Sequence, residues 1–161
     1  MIISNFIKEI ELKYKNHYFS GICFDSTKCK KDNIFFAIKG TKINGNKFIN
    51  HAIQKGAKTI VSNQKFEGIK KNILFIRSSN VRKSLAEFAY KVYKNKPKNI
   101  IAVTGTNGKS SVADFYFQIL KLNKTKVASI GTLGTKTQDY KKKLLNTTVD
   151  PIALSIILNK L

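Results

Sequence analysis

Residues 100–111 read IIAVTGTNGKSS, a short apolar run followed at once by a turn rich in glycine and hydroxyl side chains. Four apolar residues bounded by a turn are typical of a buried strand. Gly105 and Gly108 allow backbone conformations that residues with a Cβ avoid. An amphipathic helical pattern follows over 109–122, and a second apolar run covers 126–130. This succession predicts a βαβ unit, in which the two strands are parallel and the crossover is right-handed.

The turn also carries the residue types that bind a phosphate chain. Backbone N–H groups at the glycines and at the start of a helix attract anions. Lys109 can reach the β- and γ-phosphates of a nucleotide, and the Ser110 hydroxyl can ligate Mg²⁺. The match to G-x-x-x-x-G-K-[ST] is imperfect, because Val103 stands where the first glycine belongs. The alternative is a glycine-rich turn that caps a strand–helix junction, with Lys109 facing solvent.

Upstream, the alternation of apolar runs and helical patterns predicts a separate small α/β domain. A short amphipathic helix is expected from near Ser4, and a longer one after the probable N-cap Asn80. The other predicted elements are strands at 18–24, 33–38, 59–61 and 73–76, and a helix within 45–56. Pro97 ends the helical pattern. We therefore expect domains at 1–97 and 98–161.

The second domain looks incomplete from its sequence. Asp150 and Pro151 are typical of an N-cap and a first helical position, and they start a strongly apolar helix. Two parallel strands cannot bury both faces of a sheet. We therefore expect the chain to be a fragment, or its C-terminal part to meet another polypeptide.

Composition excludes several classes of protein. The 161 residues are 42% hydrophobic, and no apolar run approaches the length of a membrane helix or marks a signal peptide. The net charge is +21, yet only Arg77 and Arg82 among the 30 basic residues are arginine, which argues against nucleic-acid recognition. Cys23 and Cys29 have no metal-site spacing, so two ordinary thiols and a cytoplasmic protein are expected.

The sequence T-G-T-N-G-K-S resembles the ATP loop of the Mur ligase family. The resemblance extends to the uridine-nucleotide domain, where DST at 25–27 and DNIFFAIKG at 32–40 are similar to the family's D-S-R and G-D-[IL]-F-x-A-x-x-G. NGNKFI at 44–49 continues it. IGTLG at 130–134 and NTTVDP at 146–151 resemble segments of the MurE type. Thr27 replaces the usual arginine and Val149 the usual proline.

This resemblance implies an α/β protein: a small substrate domain followed by the start of a P-loop-type parallel α/β ATPase domain. It implies an ATP- and Mg²⁺-dependent ligase that joins a diamino acid to UDP-N-acetylmuramoyl-L-alanyl-D-glutamate through an acyl phosphate. The 161 residues alone are expected to be inactive. The alternatives are a MurF-type ligase and a basic nucleic-acid-binding NTPase fragment.

The implied sites fall into three groups. Lys109 is the implied catalytic residue and Ser110 the metal ligand. The implied ATP contacts are Gly105, Thr106, Asn107, Gly108, Lys109, Ser110 and Ser111. The implied contacts to the UDP-N-acetylmuramoyl-peptide are Phe24, Ser26, Thr41, Lys42, Asn146, Thr147 and Thr148. His17 and His51 are expected to be structural, and Asp114 a surface acid. The implied partners are the UDP-N-acetylmuramoyl-peptide and a diamino acid, and neither nucleic-acid binding nor membrane insertion is expected.

Overall fold

The computed structural model describes residues 1–7, 11–40, 43–139, 141–142 (backbone alone) and 149–161. It divides into two compact units, Met1–Lys94 and Asn95–Leu161, each described by itself below. The mixed α/β class with a parallel sheet, predicted from the sequence, is confirmed.

The first unit is built on a five-stranded sheet in the order β1-β2-β3-β5-β4. Its strands are β1 Gly21–Cys23, β2 Asn33–Phe36, β3 Thr59–Ser62, β4 Gly68–Lys70 and β5 Ile73–Arg77. Four of them run parallel, and β4 joins β5 at the edge as an antiparallel neighbour. Its helices are α1 Ile49–Gln54 and α2 Val81–Val92. The strand β4 was absent from the sequence prediction.

The strand β2, which lies between β1 and β3, shows how both faces of this sheet are buried. All four of its residues are buried, which is typical of a parallel strand covered on both sides. Phe36 contacts Phe88 of α2 on one face, with ring centroids 5.3 Å apart. Phe35 belongs to the cluster on the other face, together with Ala52 of α1. Helices therefore cover both faces of the sheet.

The predicted helix near Ser4 is wrong over the described residues, where 3₁₀ turns at Ile3–Asn5 and Leu12–Tyr14 take its place. The backbone N–H of Ile3 donates to the carbonyl of His17 at 3.0 Å and that of Ser4 to the carbonyl of Lys15 at 3.4 Å, so tertiary hydrogen bonds hold this segment. Phe6, which the apolar pattern placed on the buried face of that helix, does pack into the unit. The ring of Phe6 stacks on Phe88 at 5.2 Å.

The second unit contains α3 Lys109–Leu122, α4 Pro151–Lys160 and a three-stranded sheet. The strands are β6 Ser129–Gly131, β7 Gly134–Lys136 and β8 Lys141–Lys142, paired antiparallel in that order. Both predicted helices are confirmed, including the Asp150 N-cap, which accepts from the N–H of Ala153 at 2.9 Å.

Two expectations for the strands of the second unit are wrong. Residues 100–103 form no strand, and β6 pairs with the following β7 through a tight turn instead of lying parallel to residues 100–103. A strand exists only where a neighbouring strand offers hydrogen bonds. Within the described residues of this unit, none lies beside 100–103. Ile100 and Ile101 are consequently exposed.

Candidate functional site

The backbone of the glycine-rich turn in the second unit is set by two glycines. Gly108 has φ +75° and is the N-cap of α3, whose first helical bond runs from the N–H of Val112 to the Gly108 carbonyl at 3.0 Å. Gly105 has φ +150°. Side chains with a Cβ rarely adopt these angles. Among the described residues, and apart from the two chain neighbours of Gly108, no heavy atom lies within 4 Å of the position a Cβ would take there, so the turn is open on that side.

Lys109 lies over this turn. Its ammonium group donates to the carbonyl of Gly105 and, at 3.0 Å, to the carbonyl of Thr106. The side chain is thus directed back onto the loop, and not along the helix into solvent. A cation in this place, next to the N–H groups at the start of α3, suits an anionic ligand.

Ser110 has a polar neighbour that the sequence prediction missed. Its hydroxyl lies 3.3 Å from the hydroxyl of Thr132, which follows β6. Thr132 belongs to the IGTLG segment at 130–134, so the resemblance had marked the segment without giving this residue a role. The remaining predicted ATP contacts are exposed in the same stretch: Thr106, Asn107 and Ser111.

In the first unit, a disulfide closes the loop that follows β1. A disulfide joins Cys23 to Cys29, with Cα atoms 5.7 Å apart, so the expectation of two thiols is wrong. The Cys residues lie on either side of a 3₁₀ turn, a proximity that their six-residue separation alone does not reveal. The loop between them holds Phe24 and Ser26, two of the predicted substrate contacts.

Asp25 caps this 3₁₀ turn, which spans Ser26–Lys28. Its carboxylate accepts from the Thr27 hydroxyl at 2.7 Å and from the Thr27 N–H at 3.0 Å. The hydrogen bond from the hydroxyl lowers the pKa of Asp25, with a smaller contribution from the Lys28 ammonium, while desolvation opposes the change. Thr27, which replaces the family's arginine, therefore stabilises the turn.

Ser26 is almost fully buried, and its hydroxyl lies 2.9 Å from Nδ1 of His51 on α1. Sequence reasoning treated His51 as structural, and a separation of 25 positions in the chain gave no sign of the contact. Phe24, two residues earlier, is 38% exposed.

The other predicted substrate contacts lie outside the described residues: Thr41, Lys42, Asn146, Thr147 and Thr148. No metal site of three or more His, Cys, Asp or Glu side chains occurs among the residues that the structure describes. Across the same residues, no helix is long and apolar enough to cross a membrane.

His17 and Asp114 have structural partners. Nε2 of His17 lies 2.8 Å from the Thr59 hydroxyl, and burial lowers the pKa of His17, opposed by the charge of Asp32. Asp114 forms an ion pair with Lys136 at 2.7 Å. The interpretation of Asp114 as a surface acid agrees with this pair.

Curated relatives resemble the chain over much of its sequence. A UDP-N-acetylmuramoyl-L-alanyl-D-glutamate–2,6-diaminopimelate ligase of Rickettsia prowazekii is 42% identical over 121 residues, which is 75% of this chain and 25% of the relative. The enzyme of the same name from Fusobacterium nucleatum is 33% identical over 154 residues, 96% of this chain and 31% of the relative. The chain thus spans about a quarter to a third of their length.

Solved structures share the fold. A UDP-N-acetylmuramoyl-L-alanyl-D-glutamate–2,6-diaminopimelate ligase superposes with a TM-score of 0.79 at 24% identity, covering 99% of this chain and 33% of that one. A MurF ligase of Thermotoga maritima in complex with ADP gives a TM-score of 0.54 at 22% identity, covering 86% of this chain and 28% of that one.

Two family profiles match successive parts of the sequence. The profile described as "Mur ligase family, catalytic domain" matches residues 18–99, and the "Mur ligase middle domain" profile matches residues 103–161. The first match alone takes in half of the chain. Together with the relatives and the shared fold, these matches show that the chain belongs to the Mur ligase family.

Proposed function

We propose that this chain is the N-terminal portion of an ATP-dependent ligase that adds a diamino acid to UDP-N-acetylmuramoyl-L-alanyl-D-glutamate during peptidoglycan synthesis. Residues 1–97 would bind the UDP-N-acetylmuramoyl-peptide, and residues 98–161 would begin the ATP-binding domain. The relatives from Rickettsia prowazekii and Fusobacterium nucleatum are named as ligases of this substrate and 2,6-diaminopimelate, which supports the substrate and favours 2,6-diaminopimelate as the amino acid. Because two of the three substrates, ATP and the UDP-linked precursor, are nucleotides made inside the cell, we place the protein in the cytoplasm.

The observation that carries the proposal is the position of Lys109 over the turn at 105–108. A carboxylate is a poor electrophile, so its oxygen first attacks the γ-phosphorus of ATP, and ADP leaves. The amine of the diamino acid then attacks the acyl carbon, and phosphate leaves. Lys109 and the N–H groups at the start of α3 would stabilise the negative charge on the transferring phosphoryl group. Such electrostatic stabilisation of the transition state is the main source of rate enhancement in phosphoryl transfer.

The residues present also fit Mg²⁺. The hydroxyls of Ser110 and Thr132 lie close together beside the turn, and hydroxyl oxygens are suitable ligands for this hard cation. Ser110 would ligate the ion, and Thr132 would orient the Ser110 hydroxyl. When bound, Mg²⁺ supplies positive charge to the phosphate oxygens.

The substrate contacts extend the proposal to the first unit. Phe24 and Ser26 would bind the uridine-nucleotide end, with Thr41 and Lys42 adding contacts there. Asn146, Thr147 and Thr148 would bind the muramoyl-peptide. The buried hydroxyl of Ser26 and the half-exposed Phe24 are compatible with a ligand at this loop.

The fragment prediction has support in the surface of α3. Val112, Phe115, Tyr116 and Ile119 follow the i, i+3, i+4, i+7 spacing of one helical face, and all four are exposed. We propose that further residues of the same middle domain cover this apolar face in the full protein. The greater length of the relatives agrees with this.

The substitution Lys109→Ala tests the ATP site in the 161-residue chain. It should weaken binding of Mg-ATP at least about tenfold, because a charge-assisted hydrogen bond to phosphate is lost. Binding of UDP-N-acetylmuramoyl-L-alanyl-D-glutamate should be unchanged. Isothermal titration of each ligand at fixed salt measures both affinities.

Lys121→Ala is the matched control, since it removes the same charge from the last turn of the same helix. It should leave both affinities unchanged, because removing one of the 30 basic side chains lowers the net charge of +21 by only one. Equal loss of both ligands in Lys109→Ala would contradict two separate sites.

A MurF-type ligase is the competing function within the family. The ADP-bound MurF structure shares its fold with this chain at 22% identity, whereas the two relatives named as diaminopimelate ligases are 42% and 33% identical. Titration with the diaminopimelate-containing tripeptide precursor distinguishes the two, since a MurF-type protein would prefer it to the dipeptide precursor.

A further inference from the structure

The hydroxyl of Ser26 is held from a different element of the first unit. Its Oγ lies 2.9 Å from Nδ1 of His51, which belongs to α1, while Ser26 begins the 3₁₀ turn after β1. Ser26 is 6% exposed and His51 is half-buried. A hydrogen bond in such surroundings is weakly screened by water and therefore holds its partners firmly.

Other contacts hold the backbone of this loop. The Cys23–Cys29 disulfide closes it, and Asp25 caps its turn through the N–H and hydroxyl of Thr27. Neither contact involves the Ser26 side chain. Among the described residues, the bond to His51 is the contact that selects one of the three staggered positions of the Ser26 hydroxyl.

A serine hydroxyl has one donor and two acceptor positions. If Nδ1 of His51 accepts, Ser26 keeps both acceptor positions for a ligand. If Nδ1 carries the proton, Ser26 keeps its donor and one acceptor position. In either tautomer the imidazole takes one position and leaves hydrogen-bonding capacity that points in a fixed direction.

We infer that His51 is a positioning residue for the uridine-nucleotide site, acting through the hydroxyl of Ser26. The inference rests on the proposed function, in which Ser26 contacts the UDP end of the substrate. Without His51 the ligand would have to order the Ser26 hydroxyl on binding, and the affinity would fall by that cost.

A double-mutant cycle in the 161-residue chain tests this, with UDP-N-acetylmuramoyl-L-alanyl-D-glutamate as the probe and calorimetry as the measurement. Ser26→Ala and His51→Leu should each weaken binding about three- to tenfold, the size of one hydrogen bond. The double variant should be no weaker than Ser26→Ala alone, because His51 has nothing left to position.

Two further variants separate positioning from folding. His51→Asn keeps a polar atom near the place of Nδ1 and should recover most of the affinity. His17→Leu removes the other histidine–hydroxyl contact of this unit, the one with Thr59, and should leave the affinity unchanged. Circular dichroism of each variant checks that the helices are retained.

The outcomes distinguish the inference from the function on which it rests. If Ser26→Ala weakens binding but His51→Leu does not, or if the two effects add, His51 has no positioning role and the proposed site stands. If His51→Asn binds as weakly as His51→Leu, the hydrogen bond is not the cause and the inference is wrong. If Ser26→Ala binds normally, the proposed contact at Ser26 fails and the role of His51 fails with it.

Discussion

The two units use the same kinds of sequence pattern but bury them to different extents. In Met1–Lys94, parallel strands lie between helices, and residues such as Ile34, Phe36 and Leu85 are fully buried. In the described part of Asn95–Leu161, Phe117 is the only hydrophobic residue in the buried class. The Lys136 ammonium lies 4.6 Å from the centroid of the Phe117 ring, a cation–π contact that stabilises the ring on one face.

The difference shows that an apolar sequence pattern forms a core only where other helices or strands pack against it. Four parallel strands with a helix on each face provide those layers in the first unit. In the second unit, α3 turns Phe117 inward while Phe115 remains 63% exposed. The hydrophobic effect stabilises only area that is removed from water, so the same residue type contributes differently in the two units.

Phe36 is buried and Phe115 is exposed, so truncating each should change folding stability by very different amounts. Phe36→Ala should lower the free energy of unfolding of the first unit by about 3–4 kcal/mol, because it opens a cavity against Phe88. Phe115→Ala should change stability by less than about 0.5 kcal/mol, since its side chain is already in water. Urea titration followed by circular dichroism gives both values. Similar losses in the two variants would mean that the face of α3 with Phe115 is packed, and would contradict the contrast drawn between the two units.

An intermediate effect compares two helix caps of similar geometry. The Asn80 side chain accepts from the N–H of Lys83 at 3.0 Å, as Asp150 accepts from that of Ala153 at 2.9 Å. Asn80→Ala should cost the first unit about 1 kcal/mol, because α2 packs its buried face on the sheet. Asp150→Ala should only speed local amide exchange at the start of α4.

Hydrogen-exchange mass spectrometry together with urea midpoints measures this pair. If Asp150→Ala shifts the unfolding midpoint of the first unit as much as Asn80→Ala does, the two units do not fold separately.

His17 should make the stability of the first unit depend weakly on pH. Burial lowers the pKa of His17 in the folded state below its ordinary 6.5. The unfolded chain therefore binds the proton first, so stability is complete above about pH 6.5 and falls as the pH drops toward the lower folded-state value. His17→Gln, which can keep the bond to Thr59, should flatten this part of the profile. Urea midpoints between pH 7.5 and 5 test it, and parallel profiles for the two proteins would refute the assignment.

Local signals in the sequence determined a large part of the protein. The bounds of α3, the caps Asn80 and Asp150, and the glycine at φ +75° were predictable, because each depends on residues within one turn of itself. The α/β class and the family followed from alternating apolar runs and from the TGTNGKS turn. These features need no knowledge of distant contacts.

Tertiary structure decided the rest. The approach of His51 to Ser26, the pairing of Ser110 with Thr132 and the Cys23–Cys29 disulfide bring together residues that no helical or strand period relates. Residues 100–103 have the composition of a strand, yet they form none where no neighbour supplies hydrogen bonds. Propensity acts within a segment, whereas strand pairing and burial depend on what lies beside it in space.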